Sequence, residues 1–446
     1  MTCFKTLKCT RHLSVYARFF NSLNSSTCCL QHGKRLSSSA SSDDNKVMQY
    51  LQARIKTTGP ITVAEYMKTV LTSADAGYYM HRDVFGSKGD FITSPEISQM
   101  FGEMLGVWCV NEWHNLYPGQ PLQVVELGPG RGTLSQDLMR VFCQFADMKD
   151  KVSFHLVEIS PALSQMQSQL LTDNTKPTDL SDSGQGTDGQ SLGPYRQGTT
   201  KYGPPISWYR ALEDVPKGIS FFVGHEFLDA LPVHKFQRTE KGWCEVLVDL
   251  KSYENTGDKK TPFQFVLSPG RTPATTFLKV SDGDSRDHIE VCPEAGKSVQ
   301  EVAKRIQQQG GFGLFIDYGH TGQKGDTFRA FKQHELHDPL VEPGAADLTA
   351  DVDFAYLKQC VEGVSTFGPI TQQEFLVNMG IGVRLQMLLQ RAKQEDWKSL
   401  VTGYDMLTNP TKMGERFKFM ALMNPSLPDY VPAGFHTPDF LKTTST

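Results

Sequence analysis

The sequence lacks the cysteine patterns that build zinc sites and disulfide frameworks. Its 446 residues include nine cysteines, and no two of them form a Cys-x-x-Cys pair. Four lie before residue 43, and the other five are widely spaced: Cys109, Cys143, Cys244, Cys292 and Cys360. Closely paired cysteines mark structural zinc sites, and dense cysteines mark small secreted domains. Neither class of protein is indicated, and the pattern suits a reducing compartment.

Long apolar runs and a strong charge of one sign are also missing. No run approaches the roughly 18 apolar residues that a membrane-spanning helix needs, so we predict no membrane span. The formal net charge is -4, which does not favour a nucleic-acid binder. With 39% hydrophobic and 21% charged residues, the chain has the composition of a globular protein with one large domain or two.

The first 42 residues contain no acidic side chain. They carry six basic residues and end in a run of serines. A basic, serine-rich and acid-poor N-terminus is typical of a mitochondrial presequence. We therefore predict that residues 1–42 are a mitochondrial presequence, and the alternative is a disordered basic tail.

The remainder of the chain has two kinds of pattern. Residues 43–118 show the three- and four-residue apolar spacing of helices. From residue 119 to 446, apolar strand candidates alternate with helical patterns: "LQVVEL" (122–127), "SFHLVEI" (153–159), "ISWY" (206–209), "ISFFVG" (219–224), "FGLFID" (312–317), "GVSTFGPIT" (363–371) and "RFKFMALM" (416–423). Nearly continuous apolar strands separated by helices indicate a parallel sheet covered on both faces. We predict an N-terminal helical region followed by an α/β domain.

Two segments interrupt the alternation. Residues 172–205 are rich in Ser, Thr, Gly, Pro and Asp and contain few apolar residues, which predicts a disordered surface insertion. Residues 233–290 include "VHKFQRTEKGWCEVLVDL" and "PFQFVLS", whose patterns predict antiparallel strands. We expect these strands to form a β-rich insertion between the fourth and fifth strands of the sheet.

A glycine-rich turn follows the first predicted strand, in "LQVVELGPGRGTLSQDLMR" (122–140). A phosphate loop requires Gly-x4-Gly-Lys-Ser/Thr, and the dinucleotide fingerprint is G-x-G-x-x-G. Gly128, Gly130 and Gly132 match neither spacing, and Glu126 precedes them at the strand end. An acid at this position repels a pyrophosphate, but it suits a ligand with a cationic amine and no phosphate.

S-adenosylmethionine is a ligand of this kind. Its adenosine diol requires an acid at the end of the next strand, just as an acid binds a nicotinamide ribose. Glu158 in "FHLVEISP" occupies that place, 26 residues after Gly132. We predict that Glu126, the three glycines and Glu158 bind S-adenosylmethionine. The alternative is a tight strand–helix turn with two solvated acids.

The motifs "VVELGPGRG" and "LVEISP" resemble those of class I S-adenosylmethionine-dependent methyltransferases. With "GDFITSPEISQMFGE", "VGHEFLDALPVHKF", "IDYGH" and "DLTADVDF", the chain resembles the MidA-like family over residues 45–430, apart from the 172–205 insertion. The resemblance implies a seven-stranded Rossmann-like methyltransferase sheet and S-adenosylmethionine as methyl donor. Mitochondrial members are protein arginine methyltransferases that assist complex I assembly. The resemblance thus also implies a matrix location and symmetric dimethylation of an arginine in a complex I core subunit, the protein substrate.

The predicted fourth strand runs into "GHEFLDALP", at the edge where open α/β sheets bind ligands. Glu226 and Asp229 face one side if the strand continues into a helical turn. We predict that they bind the guanidinium of the acceptor, with His225 as a candidate proton acceptor. The alternatives are a helix cap for Asp229 and a structural ion pair for Glu226. Bacterial members of the family usually carry Asn in place of His225, which leaves the role of this position open.

Asp317 ends the fifth predicted strand and points toward the same edge. It is either a third contact for the acceptor or an anchor for Tyr318 and His320. The Asp-rich segment "DLTADVDF" (347–354) resembles a calcium loop only loosely, because an EF-hand has glycine at its sixth position. We expect this segment to be a substrate-side lid or a helix N-cap, and we predict no metal site.

The segment "SPEISQ" predicts the start of a helix, with Ser94 as N-cap and Pro95 at the first helical position. We expect Thr93 and Ser94 to lie over the methionine end of the cofactor. Glu96 is equally well explained by either helix capping or cofactor contact.

Three functional classes are compatible with these patterns. The first is an active S-adenosylmethionine-dependent protein methyltransferase, which the independent signals favour. The second is a non-catalytic assembly chaperone that retains the cofactor-binding fold. The third is an NAD-linked oxidoreductase, which the glycine spacing opposes.

Overall fold

The computed structural model describes residues 44–81, 92–173, 178–180, 193–252, 261–280, 284–424 and 429–436. The predicted presequence, residues 1–42, lies outside this part of the chain, as does part of the predicted insertion at 172–205. Within the described ranges, no helix combines the length and the apolar character needed to cross a membrane.

Helices and strands alternate over most of the described chain. The α-helices are α1 (Asp44–Thr58), α2 (Val63–Thr72), α3 (Ser94–Ile97), α4 (Gln99–Leu116), α5 (Thr133–Phe142), α6 (Ala146–Lys149), α7 (Pro161–Leu171), α8 (Pro293–Gln309), α9 (Phe354–Cys360), α10 (Gln372–Asn378), α11 (Ile381–Arg391) and α12 (Gln394–Thr408). The strands are β1 (Ile61–Thr62), β2 (Leu122–Leu127), β3 (Val152–Val157), β4 (Thr178–Asp179), β5 (Arg196–Thr199), β6 (Pro205–Tyr209), β7 (Ser220–His225), β8 (His234–Thr239), β9 (Gly242–Leu250), β10 (Phe263–Leu267), β11 (His288–Val291), β12 (Gly311–His320), β13 (Arg329–Lys332), β14 (Glu335–His337), β15 (Asp347–Thr349), β16 (Val352–Asp353), β17 (Ser365–Thr371) and β18 (Phe417–Met423).

Seven strands form the body of the central sheet, in the order β17-β18-β12-β7-β2-β3-β6. The strands from β12 to β6 are mutually parallel, and β18 and β17 continue the sheet antiparallel. Every residue of β7 is buried, as expected for a strand covered by helices on both faces. The predicted seven-stranded α/β sheet is confirmed. Its parallel strands bring the ends of β2, β3 and β7 to one edge.

The prediction of disorder for residues 172–205 is wrong for the part that the structure describes. Two short antiparallel strands, β4 and β5, extend the central sheet beyond β6. The Tyr195 hydroxyl donates to the Glu158 carbonyl at 3.0 Å, and the Arg196 guanidinium donates to the Ser164 carbonyl at 2.9 Å. An edge strand can be polar when its backbone is paired on one side and a few side chains anchor it.

Strands from residues 233–290 belong to a second, five-stranded antiparallel sheet. β8 pairs with β11 and with the first half of β9. β1 and β10 both pair with the second half of β9. Helices α1 and α2 share a hydrophobic core with this sheet, formed by residues that include Val47, Leu51, Ile55, Tyr66, Met67, Val70, Val246, Val248 and Phe263. The first two helices therefore pack with the insertion, whereas α4 packs in the core of the central sheet.

A third sheet has the strand order β14-β13-β15. Ala330 and Leu348 are paired on neighbouring strands and lie in the core shared by α1, α2 and the second sheet. Because side chains alternate along a strand, the neighbouring pair, Phe331 and Asp347, faces the opposite way. This second face lines the cleft described below.

A buried charge network attaches α11 to the helices on the central sheet. The Glu103 carboxylate of α4 is fully buried. It accepts two hydrogen bonds from Arg384 of α11, at 2.8 and 3.0 Å, and one from Arg140 of α5, at 2.7 Å. Charges buried to this degree are tolerated only when every partner is in place, so the network fixes the relative positions of three helices.

We expect Glu103→Leu to lower the free energy of unfolding by about 3–5 kcal/mol, because it leaves Arg384 buried without a counter-charge. Urea unfolding followed by circular dichroism measures the change. The control is Glu294→Leu, which removes the ion pair with Lys68, whose side chain is 61% exposed, and should cost less than about 1 kcal/mol. Equal losses for the two variants would show that the buried network does not stabilise the fold.

Candidate active site

The carboxyl edge of the central sheet opens into a cleft of about 1560 Å³. The loop between β2 and α5 forms part of its lining, and all three predicted glycines in it have positive φ: 63° at Gly128, 55° at Gly130 and 88° at Gly132. Residues other than glycine adopt this left-handed conformation at a cost. At Gly128, a β-carbon would also lie 2.8 Å from the Phe227 ring. The backbone can follow this path cheaply only with glycine.

Glu126 lies buried at the end of β2, directly before the glycine loop. Burial raises the pKa of its carboxyl to about 8, and a hydrogen bond from the Ser135 hydroxyl offsets only part of this rise. A carboxyl in this state gains by meeting a cation, which restores its ionised form. The cationic amine of an amino-acid ligand meets this requirement.

Glu158 follows the end of β3, next to Glu126 in the sheet. Its carboxylate accepts the Ser160 backbone N–H at 2.7 Å and the Gln167 amide at 3.0 Å. The same Gln167 amide group donates to the Gly130 carbonyl at 2.7 Å. Burial raises the pKa of Glu158 to about 7. Gln167, which the sequence did not single out, therefore joins the glycine loop to the predicted diol-binding acid.

The N-cap of the short helix α3 is Thr93 and not Ser94 as predicted, since Ser94 is the first helical residue. The Glu96 carboxylate accepts the Thr93 backbone N–H at 3.2 Å, as in a capping box, and lies 3.4 Å from the Arg131 guanidinium. The Ser94 hydroxyl is buried and has no hydrogen-bond partner among the described residues. Glu96 thus caps α3 and also links it to the glycine loop.

These residues fit S-adenosylmethionine. A narrow cavity contains Thr93, Glu126, Gly130 and His225, and its neighbour, the large cleft, contains Gly130 and Glu158. An elongated ligand can therefore place an amine near Glu126 and a diol near Glu158, with the glycine loop between them. The buried Ser94 hydroxyl without a partner among the described residues lies at the start of α3, whose Pro95 and Glu96 line the same narrow cavity as Glu126.

The predicted acceptor residues follow the end of β7. The condition of a helical turn is not met there: Glu226 has a left-handed backbone with φ of 49°, and no helix follows it before β8. The backbone N–H of Glu226 donates to the Ile316 carbonyl at 2.9 Å, and its side chain accepts the Ser94 N–H at 3.3 Å. Burial, and after it the nearby Asp229 charge, raise the pKa of Glu226 well above its usual value.

Asp229 faces the same cleft, although it caps no helix. One of its oxygens, Oδ2, accepts hydrogen bonds from the Tyr318 hydroxyl and from the Thr349 hydroxyl, the latter at 2.9 Å. The other oxygen, Oδ1, is buried and has no hydrogen-bond partner among the described residues. Burial raises the pKa of Asp229. Tyr318 and Thr349 orient this carboxylate, and the sequence pattern did not reveal that they meet it.

Asp317 is fully buried behind this turn, outside the residues that line the cleft. Its Oδ2 accepts the backbone N–H groups of Leu228 and Asp229, at 3.0 and 3.3 Å, and its Oδ1 accepts that of Tyr318, at 3.0 Å. Asp317 therefore anchors Tyr318, as one of the two predictions states, and it also anchors the turn at Leu228 and Asp229. It does not line the cleft in which an acceptor would bind.

His225 lies between aromatic rings and not on the open cleft. Its ring centroid is 5.0 Å from that of Phe101 and 6.4 Å from that of Phe417. Burial lowers the pKa of His225 to about 3, so the ring is neutral at physiological pH. Nε2 lies 3.2 Å from Oε1 of Glu226 but does not meet hydrogen-bond geometry there. The structure thus brings His225, Glu226 and Asp229 close together. His225 lies between aromatic rings, whereas the two carboxylates line the cleft.

The Asp-rich segment divides between two tasks. Asp347 accepts a hydrogen bond from the Tyr79 hydroxyl at 2.6 Å and lines the cleft. Asp351 pairs with Arg329 at 2.8 Å. Asp353 caps α9, as the helix-cap alternative predicts. In the described ranges, no group of three or more His, Cys, Asp or Glu residues is arranged to hold a metal ion.

Comparison with known sequences identifies relatives along most of the chain. Residues 104–370, more than half of it, match the model of an S-adenosyl-L-methionine-dependent methyltransferase family. The chain is 52% identical over 383 residues to the mitochondrial protein arginine methyltransferase NDUFAF7 of Rattus norvegicus, covering 84% of each. It is 51% identical over 398 residues to the Homo sapiens protein of that name, covering 88% of this chain and 87% of the relative. The Drosophila melanogaster homologue is 48% identical over 391 residues, covering 86% of each.

Solved structures share the fold. The crystal structure of a Burkholderia thailandensis protein bound to S-adenosyl-homocysteine superposes with a TM-score of 0.67 at 24% identity, covering 91% of this chain and 96% of that chain. A native crystal structure from the same organism gives a TM-score of 0.66 at the same identity. Sequence and fold agree with the motifs of the glycine loop, and the chain therefore belongs to the MidA-like family of S-adenosylmethionine-dependent methyltransferases, with S-adenosylmethionine as its cofactor.

Proposed function

We propose that the protein is a mitochondrial protein arginine methyltransferase that symmetrically dimethylates an arginine of a complex I core subunit in the matrix and so supports complex I assembly. The names of the curated relatives support the arginine acceptor and the mitochondrial location. The basic, acid-free composition of residues 1–42 supports the location independently. The resemblance of the motifs to the mitochondrial members of the family supports the complex I subunit and the symmetric product.

The observation that carries this proposal is the pair of carboxylates on the turn after β7. Glu226 and Asp229 line one cleft beside the glycine loop, and burial raises the pKa of both. Oδ1 of Asp229 is buried without a hydrogen-bond partner among the described residues. A guanidinium carries a positive charge and five N–H donors in one plane. It would satisfy this oxygen and favour the ionised form of both carboxyls.

The chain's own task in the reaction is to position the acceptor. S-adenosylmethionine, when bound, supplies a methyl group for an in-line displacement. An arginine acceptor is always protonated and is therefore a poor nucleophile. By binding the guanidinium, Glu226 and Asp229 would hold one nitrogen toward the cofactor site and draw positive charge away from it. Asp317 would act as a positioning residue, since it holds the backbone of the turn.

Glu226 would be the nearer acceptor for the proton that leaves the guanidinium, because burial raises the pKa of its carboxyl well above the usual value. The structure does not favour His225 as the proton acceptor. Its Nε2 lies 3.2 Å from Oε1 of Glu226 without hydrogen-bond geometry, and burial lowers the pKa of the ring to about 3. Such a ring binds a proton too weakly to take one from Glu226, so His225 would pack behind Glu226 and not contact the substrate.

The first test concerns the cofactor. We expect Gly130→Val to abolish binding of S-adenosylmethionine and S-adenosylhomocysteine in calorimetric titration, because a β-branched residue disfavours φ of 55° and fills space beside the cleft. Gly242→Val is the control, since Gly242 has φ of 93° in the β8–β9 turn and a β-carbon added there would meet no atom within 4 Å. If Gly130→Val binds as tightly as the control, the glycine loop does not hold the cofactor.

The second test concerns the acceptor. We expect Glu226→Gln to bind S-adenosylhomocysteine normally and to lower methyl transfer at least about 100-fold, the usual effect of losing a positioned charge. Tritiated S-adenosylmethionine and mitochondrial matrix extract provide the assay, and digestion of the product measures symmetric dimethylarginine. The control Glu112→Gln changes a carboxyl that is fully buried and has a pKa raised to about 7, but lies on α4 away from the cleft.

The same assay tests the acceptor assignment and distinguishes a methyltransferase from a non-catalytic chaperone. Normal transfer by Glu226→Gln would contradict the acceptor assignment. If the unmodified protein binds S-adenosylhomocysteine but labels no arginine, the non-catalytic chaperone becomes the better explanation.

The third test concerns pH. Burial raises the pKa of Glu126 to about 8 in the folded state, whereas an unfolded glutamate has a pKa of about 4.3. The stability that this group contributes is therefore present at low pH and lost as the pH rises toward 8. We expect Glu126→Gln to have the same Tm as the unmodified protein at pH 5 and a higher Tm at pH 8.5, with weaker binding of S-adenosylhomocysteine. A Tm difference that does not change with pH would contradict the raised pKa.

A further inference from the structure

The three-stranded sheet that forms one wall of the cleft ends in an open edge. β14 pairs with β13 on one side, and no described strand pairs with its other side. Leu336, at its centre, is 73% exposed and lines the mouth of the cleft. Proteins usually protect strand edges because an open edge recruits other chains. An apolar residue on an open edge at the mouth of an acceptor cleft indicates a binding partner.

The hairpin directs the backbone of Leu336 toward that open edge. A two-residue turn, 333–334, joins β13 to β14, and both turn residues have positive φ, 52° and 66°, as in a type I′ turn. In such a hairpin the residues beside the turn, Lys332 and Glu335, form the hydrogen-bonded pair, and the next pair, Phe331 and Leu336, does not. The N–H and C=O of Leu336 therefore point away from β13 and are available to an added strand.

Strand register connects this edge with the acceptor site. Leu336 is opposite Phe331, and Phe331 is opposite Asp347, so the three side chains share the face that lines the cleft. Thr349, two residues after Asp347, faces the same side and donates to Asp229 at 2.9 Å. One sheet face thus runs from the open edge to the proposed guanidinium site.

We propose that the protein substrate binds as an extended segment that pairs with β14 through the N–H and C=O of Leu336 and directs its arginine into the cleft toward Glu226 and Asp229. The inference rests on the proposed arginine methyltransferase function and names the form in which the substrate is recognised. Strand addition uses main-chain hydrogen bonds for affinity and alternate side chains for specificity. The substrate segment is therefore one without helical structure at the time of methylation.

The burial of the acceptor carboxylates supports an extended segment over a folded surface. The Glu226 side chain is 14% exposed, and Asp229 is 7% exposed. An arginine on a helix or on a flat surface would have to bring its neighbours against the walls of the cleft. One side of α12 also lines the cleft, through Glu395, Lys398, Ser399, Thr402, Gly403 and Met406. An extended chain has the smallest cross-section of any substrate segment, so it can reach these carboxylates with the least displacement of this lining.

The pairing also predicts a sequence preference. Side chains of an added strand alternate between the two faces. The substrate residue opposite Leu336 and the arginine must both face the cleft. Their positions in the substrate sequence therefore differ by an even number. We expect the residue opposite Leu336 to be apolar, because the exposed Leu336 side chain gains by burial against it.

Proline substitution tests the edge directly. Leu336→Pro removes the outward N–H without removing a hydrogen bond of the hairpin, and proline is tolerated in edge strands. Leu267→Pro is the matched control. The backbone N–H of Ser268 donates to the Glu245 carbonyl of β9 at 2.8 Å. Because backbone N–H groups alternate in direction along a strand, the N–H of the neighbouring Leu267 points outward, away from β9. Its strand, β10, is an edge strand away from the cleft. Leu267 is 43% exposed.

Binding is measured on the full chain, with S-adenosylhomocysteine present. The probes are fluorescein-labelled 13-residue peptides with a central arginine and randomised flanks, followed by anisotropy. We expect Leu336→Pro to weaken binding at least tenfold and Leu267→Pro to change it less than twofold. Hydrogen exchange of the segment that contains Leu336 should slow when the peptides bind. Unchanged binding by Leu336→Pro without such protection would overturn the inference, as would peptides that do not bind the unmodified protein.

A second set of peptides, with lysine at the centre, separates this inference from the proposed function. If arginine and lysine peptides bind equally but both require the Leu336 N–H, the strand pairing holds and the arginine acceptor fails. If arginine is preferred but Leu336→Pro has no effect, the acceptor holds and the strand pairing fails.

Discussion

The acceptor side of the site depends on one buried carboxylate, that of Asp317. It accepts the backbone N–H groups of Leu228, Asp229 and Tyr318. These bonds close the turn after β7 where Glu226 has a φ of 49°, a conformation that costs energy for any residue with a side chain. Strain of this kind persists only when the surroundings fix the backbone. Here the fixed turn brings Glu226 and Asp229 to the same cleft without a helix.

The same edge of the sheet holds several acids under conditions that disfavour their charge. Burial raises the pKa of Glu126 to about 8 and that of Glu158 to about 7, and it also raises the pKa of Glu226. Buried carboxylates without a cation lower the stability of the folded state near neutral pH. The cofactor carries a cationic amine and the proposed acceptor is a guanidinium, so each ligand would relieve part of this penalty. These carboxylates therefore destabilise the protein without ligands near neutral pH, and binding of the cationic ligands would offset part of that loss.

Local sequence patterns say more about the proposed cofactor residues than about the proposed acceptor residues, because the two groups are assembled differently. Glu126 lies at the end of one strand and Glu158 directly follows the next, and the apolar runs of both strands are evident in the sequence. Tyr318 and Thr349, in contrast, meet Asp229 across 89 and 120 residues, and no local pattern records such a contact. The left-handed turn at Glu226 was missed for the same reason, since a distant carboxylate enforces it and glutamate does not signal it.

The periodicity of the sequence predicted the central α/β sheet, but it did not predict the third sheet, β14-β13-β15, or its position beside the cleft. Ala330 and Leu348 face the core that α1 and α2 share with the second sheet, and the opposite face of the same strands lines the cleft. The Tyr66 hydroxyl of α2 adds a hydrogen bond to the Pro339 carbonyl at 2.7 Å, just beyond β14. A sheet this small depends on burial of its hydrophobic face for stability. The second sheet and its two helices therefore hold the substrate wall in place, so that changes in the N-terminal helices would reach acceptor binding before they reach the glycine loop.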